Sequence, residues 1–191
     1  MTDDAALTVL RAEDHQRMAW ANGGGTTYQV ATSPDGAGLD TFDWRVSLAD
    51  VESDGAFSSL PSVERILVLI EGHGMDLVVD GRVKGLGPFE PVRFDGAAET
   101  SCVLTAGPTR DLNVMTRRGR CTADLDVLRV DNGLEVTTDD DGTLLLVVLE
   151  GEVAVDGPER LRLRPRDAVV VRRTMRLRGP GRVGRIRIST R

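Results

Sequence analysis

The sequence predicts an all-β protein made of two like units, each a jelly-roll sandwich or barrel, with little helix. Three observations predict this. Short apolar runs recur throughout, each closed by Gly, Pro, Asn or Asp, which is the rhythm of many short strands. No stretch carries the 3.6-residue apolar period of a long amphipathic helix. One pattern also occurs twice. Ile66 to Ile70 is followed by Glu71-Gly72-His73-Gly74, the short arm Met75 to Val79 and Asp80-Gly81. Leu145 to Leu149 is followed by Glu150-Gly151, the arm Val153 to Val155 and Asp156-Gly157. The Glu-Gly pairs are offset by 79 (150 − 71) and the Asp-Gly pairs by 76 (156 − 80). Each copy reads as a hairpin, because a run this short and rich in β-branched residues favours a strand and glycine permits the turn.

The chain of 191 residues is long enough to bury a real core. No apolar run is long enough to span a bilayer as a helix, so no membrane association is expected. Met1-Thr-Asp-Asp-Ala-Ala carries acid where a secretory signal carries base, which predicts a cytoplasmic location. Cys102 and Cys121 form no CxxC motif and are expected to be separate thiols.

The net charge of −6 hides an asymmetry. Residues 157–191 hold twelve Arg against Glu159 and Asp167, or +10, leaving −16 for residues 1–156. Arg160, Arg162 and Arg164 alternate with Leu161 and Leu163, and Arg185 and Arg187 with Ile186 and Ile188. That is the wet face of a strand, not a nucleic-acid patch, and no aromatic residue beyond Phe94 is available to stack on bases.

In chain order, Leu7 to Leu10 is a first strand and His15 to Met18 a polar stretch. Trp20-Ala-Asn22-Gly23-Gly24-Gly25-Thr26-Thr27 then brings an amide, three glycines and two hydroxyls together. Three glycines imply a close approach of backbone, either to a neighbouring strand at a bulge or corner or to an anion that exposed N–H groups could meet. The spacing fits neither a Walker nor a dinucleotide motif. Tyr28 to Ala31 resumes as a strand and Thr32 to Thr41 is a loop. Phe42 to Ala49 is a strand whose alternation puts Trp44, Val46 and Leu48 on one face and Arg45, Ser47 and Ala49 on the other. Asp50 to Ser62 reads as a loop with one short helical turn.

Beyond the first repeat, Val83 to Pro91 is broken by Gly and Pro, and Val92 to Asp95, Thr100 to Thr105 and Asp111 to Thr116 are strands. Cys121 to Val130 and Leu134 to Thr138 flank Asn132-Gly133, a hairpin signal. After the second repeat come Leu161 to Leu163, Ala168 to Val171, Met175 to Arg178 and Arg185 to Ser189. The strand and Pro turn ending in Leu161-Arg-Leu-Arg-Pro165-Arg-Asp167 resemble those of a cupin, which makes the expected fold a double-barrel cupin (bicupin), residues 1–120 and 121–191, with N-terminal strands able to cross over.

Many cupins hold a metal through histidines, and here there are only His15 and His73, in unrelated contexts. No metal and no cofactor is expected. Glu64, Glu71 and Glu99 could act as acids or bases, but their spacing does not single them out. What remains is a set suited to an anion: Asn22, Thr26, Thr27, Arg45, Ser47, Arg65, Asn113 and Thr116. Arginine meets a carboxylate bidentately while amides and hydroxyls fix its orientation.

The motifs Trp20-x-Asn22-Gly23-Gly24-Gly25-x-Thr27, Trp44-Arg45-x-Ser47-x-Ala49, Gly55-x-Phe57-Ser58, Arg65 with Glu71-Gly72, and Asp111-x-Asn113-x-Met115 resemble the HutD/Ves family, small bacterial double-cupin proteins. The motifs cover roughly residues 18 to 120. The resemblance implies a place in histidine utilisation. It implies a regulatory or sequestering role through binding of a small carboxylate metabolite such as urocanate, formylglutamate or formiminoglutamate. It attaches no firm enzymatic activity, and the alternative is an isomerase or hydrolase using a pocket carboxylate as base. The partner expected is that metabolite, with no nucleic acid, no membrane, and a homodimer left open.

Overall fold

The structure, a computed structural model, describes residues 7–131, 133–138, 142–156 and 161–190. Its strands begin with β1 (Leu7–Leu10), β2 (Gln16–Ala19), β3 (Gly25–Ser33), β4 (Trp44–Val51), β5 (Gly55–Ala56) and β6 (Val63–Glu71). There follow β7 (Met75–Val79), β8 (Arg82–Leu86), β9 (Val92–Asp95), β10 (Thr100–Leu104) and β11 (Thr109–Arg117). The remainder are β12 (Cys121–Arg129), β13 (Leu134–Val136), β14 (Gly142–Gly151), β15 (Val153–Val155), β16 (Leu161–Leu163), β17 (Ala168–Val171), β18 (Met175–Arg178) and β19 (Gly181–Thr190). Among the described residues one 3-10 turn, Ala12–Asp14, is the only helical segment.

Residues 16–122 form one compact unit. It has a six-stranded sheet, β2-β3-β4-β11-β6-β9, and a four-stranded sheet, β5-β10-β7-β8. Val51, Leu67 and Leu69 of the first meet Met75, Leu77 and Cys102 of the second in a single buried cluster, so the sheets pack face to face. The second unit joins residues 7–15 to 123–190. Its sheets are β1-β17-β14-β19-β12 and β13-β18-β15-β16, with Leu144, Leu146, Val148, Val153, Leu163, Val169 and Leu177 in the core. β1 runs antiparallel to β17, Leu7 opposite Val171. Asp167 clasps the turn after β1: its carboxylate accepts from Arg11 at 2.7 Å and from the Ala12 and Arg164 backbone N–H groups, each at 3.0 Å.

The repeated pattern is present but is not a hairpin. β6 and β7 lie in different sheets, and so do β14 and β15. β6 already pairs with β11 on one side and β9 on the other, which leaves no free edge for its successor. Its unbroken apolar run is buried almost throughout, as for a strand covered on both faces. The chain therefore turns a corner at Glu71-Gly72 and again at Glu150-Gly151. Gly72 has φ +102° and Gly151 φ +73°, conformations glycine adopts at least cost. At Gly151 a Cβ would stand 2.0 Å from the Pro180 carbonyl oxygen. The true hairpin is β7–β8, where Asp80 (φ 47°) and Gly81 (φ 74°) join Val79 to its partner Arg82.

Other expectations are also corrected. The polar stretch before Trp20 is the edge strand β2, paired with β3. The segment after Asp50 has no helical turn but contributes β5. β8 occupies the start of the stretch expected to be irregular. Asn132 lies outside the described residues, and β12 and β13 on either side of it belong to separate sheets, so no hairpin joins them.

Several arginines of the last third pair with acids of their own unit. Arg162 donates to Glu152, Arg178 to Asp156 and Arg182 to Glu150, each at 2.6 Å. Arg185 and Arg187 share Asp126 at 2.8 and 3.1 Å. Cys102 and Cys121 are buried free thiols, each pushed up by burial. No helix among the described residues is long and apolar enough to cross a membrane.

Candidate functional site

The inner face of the six-stranded sheet is set by strand pairing. β11 lies between β4 and β6, so Met115 has Arg45 on one side and Arg65 on the other. Two residues along, Asn113 stands between Ser47 and Leu67, and Asp111 between Ala49 and Leu69. On β3, Thr27 pairs with Ala49 and Gln29 with Ser47. Because side chains alternate, all these point to one side of the sheet.

Where this face carries small and polar residues in place of leucines, a cavity of about 450 Å³ opens. Arg45, Ser47, Arg65, Asn113 and Met115 line it with Thr27, and Met18, Trp20, Asn22, Phe57 and Leu60 complete the wall. The alternation of Trp44 to Ala49 is resolved: Arg45, Ser47 and Ala49 face the cavity, while Val46 and Leu48 are buried on the opposite side.

Both arginines are 5% exposed. Arg45 Nε donates to Gln29 Oε1 at 3.0 Å and Nη2 approaches Met18 Sδ at 3.8 Å, so its partners are neutral. Arg65 is held between two rings, its guanidinium carbon 5.1 Å from the Phe57 centroid and 5.0 Å from that of Phe94. Its Nε has no hydrogen-bond partner. Burial pushes the Arg65 guanidinium down to about 10, against the opposing charge of Asp111, and burial lowers Arg45 as well. Each remains a cation at neutral pH. Stacking on aromatic faces offsets part of the lost hydration of Arg65.

Among the described residues no Asp, Glu, His or Cys lines the cavity. Two desolvated guanidiniums that face a cavity with no acid in its described wall favour an anion there. The buried amide oxygen of Asn113 also lacks a partner, an acceptor left for a donor group of the ligand and not for its carboxylate. Among the described residues no group of three His, Cys, Asp or Glu side chains is placed to hold a metal.

Six of the eight residues expected at the site meet here: Asn22, Thr27, Arg45, Ser47, Arg65 and Asn113. Thr26 and Thr116 do not. Each is buried one position out of phase with a cavity residue, Thr26 beside Thr27 and Thr116 beside Met115, so the pleat turns its hydroxyl to the other face. The acids expected as alternatives stay outside: Glu64 pairs with Arg93 and Glu71 with Arg110, and Glu99 is exposed.

Gly23, at φ +72° with open space around it, serves the turn, while Gly24 and Gly25 serve packing. A Cβ on Gly25 would lie 2.2 Å from the Asp50 carbonyl oxygen and 3.0 Å from the Trp20 ring. Gly25 thus lets Trp20 fold back so that its Nε1 donates to Thr27 Oγ1 at 2.8 Å. Asn22 Oδ1 accepts from the Gly24 N–H at 3.0 Å, closing the turn. Sequence reading missed Gln29, Phe57, Phe94 and Asp111 as parts of the site. Gln29 and Asp111 were within reach, since each is two residues from an expected member of the same strand; the ring sandwich was not, because Phe57 and Phe94 come from distant segments.

The model of the HutD family matches residues 12–183. An uncharacterised 21.2 kDa protein in the hutC 3′ region of Pseudomonas putida is 44% identical over 110 residues, 57% of this chain and 57% of that protein. Protein Ves of Citrobacter koseri is 37% identical over 106 residues, 54% of each. The chain thus spans little more than half the length of these curated relatives. Two solved structures are matched over 97% of this chain and 100% of theirs, each at 34% identity. They are a conserved protein of unknown function from Pseudomonas aeruginosa PAO1, TM-score 0.88, and HutD from Pseudomonas fluorescens SBW25, TM-score 0.84. YlbA of E. coli, at 10% identity and TM-score 0.70 over 97% of this chain and 90% of its own, shares the cupin-like fold alone.

Proposed function

The chain belongs to the HutD family, and on that premise we propose that the cavity of residues 16–122 binds a small carboxylate in a regulatory or sequestering role in histidine utilisation. The observation that carries the reading is the pair of buried guanidiniums, Arg45 and Arg65, in a cavity whose described wall contains no acid. A carboxylate set between them meets planar donors, while Asn113, Ser47 and Thr27 offer neutral polar groups to orient it. Trp20, Phe57 and Met115 supply apolar wall for the body of the ligand. A volume of about 450 Å³ suits a metabolite of the size of urocanate, formylglutamate or formiminoglutamate. The enzymatic alternative needs a base in reach of the substrate, and among the described residues lining the cavity none is a carboxylate or imidazole.

Isothermal titration calorimetry of metal-free protein against these three compounds tests the proposal. Saturable binding of at least one, lost in Arg65→Ala, supports it; binding that persists unchanged in that variant places the ligand elsewhere. Mass spectrometry of the same mixtures separates receptor from enzyme, because only an enzyme consumes more ligand than its own molar amount.

A further inference from the structure

On β11, outside the cavity lining, stands a buried carboxyl that the binding reading does not use. Asp111 is fully buried and neither of its carboxylate oxygens has a hydrogen-bond partner. It sits on the same face of β11 as the cavity residue Asn113, two residues along the strand, between Ala49, which also lines the cavity, and Leu69. A buried carboxylate with no donor is costly, and such groups are ordinarily hydrogen-bonded or neutral. Three titratable groups act on Asp111 or feel it. Arg65, from β6, favours its ionised form and Asp50, from β4, opposes it. Cys102, from β10, is a thiol whose own ionisation Asp111 opposes. Arg65 is thus the one cation among them, and it is also the group that faces the cavity.

We propose that the cavity takes up its anion together with one proton, which lodges on Asp111. Arg65 then answers to two carboxylates, one of the ligand and one of the protein. With the cavity empty its charge supports an ionised Asp111. Once a ligand carboxylate neutralises that charge, burial governs Asp111 and the neutral acid is the stable form. The burial-raised carboxyl, at about 7, leaves the balance poised in the neutral range, where this exchange is felt. Coupling is reciprocal: if the anion favours the proton, the proton favours the anion by the same factor. The inference rests on the anion-binding reading above and adds to it a dependence on pH.

The test uses the whole chain and N-formylglutamate, whose carboxylates are both ionised from about pH 6 to pH 9. Calorimetric titrations in two cationic buffers of different ionisation enthalpy report the protons exchanged on binding. The wild-type protein is expected to take up a substantial fraction of a proton near neutrality. Its affinity should fall by up to about tenfold per pH unit above that range. Asp111→Asn should bind with no proton uptake and a flat pH profile. Binding of the probe by the wild type with no proton exchanged anywhere in the range overturns the proposal, and this needs no variant. Uptake unchanged in Asp111→Asn also overturns it, placing the proton elsewhere. No heat of binding at any pH is a different failure, since it removes this probe from the site and the linkage with it.

Discussion

The guanidinium of Arg65 lies 5.0 Å over the ring of Phe94, its cross-strand partner on the edge strand β9. Phe57 covers it at 5.1 Å, so the buried charge stacks on two aromatic faces and feels the Asp111 carboxylate without a hydrogen bond to its Nε. That arrangement leaves the charge available to whatever enters the cavity.

Arg65→Lys should therefore behave as a loss and not as a conservative change. A lysine keeps the charge but has neither the flat face to stack nor the fork to meet a carboxylate. Affinity for a cavity anion is expected to drop on the order of ten- to thirtyfold, equivalent to about 1.4–2 kcal/mol. Calorimetry on both proteins measures it; equal affinities would show that the sandwich is not the anion contact.

Adjacent threonines should separate by face. Thr27→Val removes the acceptor of the Trp20 indole and leaves a partly buried donor unpaired, at a cost of about 1–3 kcal/mol. Ligand affinity and Trp20 fluorescence should both change. Thr26→Val and Thr116→Val face away from the cavity and should leave affinity within about twofold of wild type. A larger effect from either would contradict the strand register.

The two corner glycines should differ in sensitivity. A Cβ on Gly151 meets the Pro180 carbonyl oxygen at 2.0 Å, whereas on Gly72 it meets the Thr109 methyl at 2.8 Å and the Pro108 carbonyl oxygen at 3.0 Å. Gly72→Ala should cost about 1–3 kcal/mol from its backbone conformation and crowding. Gly151→Ala should cost more, because backbone itself must move. Urea unfolding midpoints decide the order.

Asp111 gives stability a definite dependence on pH. Its carboxyl, raised by burial from 3.8 to about 7, holds a proton in the folded protein that the unfolded chain releases near pH 4. Between those values the folded state binds more protons, so stability falls as pH rises and levels off above about pH 7. Asp111→Asn should abolish that decline and be the more stable protein at pH 8, by an amount on the order of a few kcal/mol. Unfolding midpoints at pH 5 and pH 8 for both proteins measure it. Parallel pH profiles would show that Asp111 is ionised throughout.

Asp167 should act in the opposite sense. Burial alone would raise its carboxyl, but hydrogen bonds from the Ala12 and Arg164 backbones and from Arg11 outweigh burial and lower it. Its stabilisation is present above the unfolded value and is lost as pH falls through the depressed folded one. Asp167→Asn should make unfolding of the unit holding β1 less sensitive to acid, read by hydrogen exchange of Leu7 to Leu10 at pH 3 and pH 6.

The Gly-Pro pairs at Gly107-Pro108 and Gly179-Pro180 show how far repetition in the sequence could be read. Each precedes the strand that meets its corner glycine, and each strand sends an arginine back to the corner acid: Arg110 to Glu71 and Arg182 to Glu150, both at 2.6 Å. Only the Glu-Gly and Asp-Gly spacings were read from the sequence; the matching Gly-Pro turns and arginine pairs emerged from the structure. The alternation that put Arg45, Ser47 and Ala49 on one face was equally visible, as was the value of Asn22 and Asn113. Such features are local: the pleat fixes the side on which a residue stands, and turn chemistry fixes where a strand ends.

The sequence by itself determined the all-β class, the repeated unit, the approximate strands and most of the polar groups of the cavity. Only the tertiary structure decided that the repeats turn corners between sheets, that Thr26 and Thr116 face away, that two distant phenylalanines flank Arg65 and that Asp111 is buried without a donor. The physical reason is reach. A period of two is written in neighbouring residues, whereas burial, the pairing of strand edges and the meeting of charges depend on segments tens of residues apart, and those meet only when the sheets close on each other.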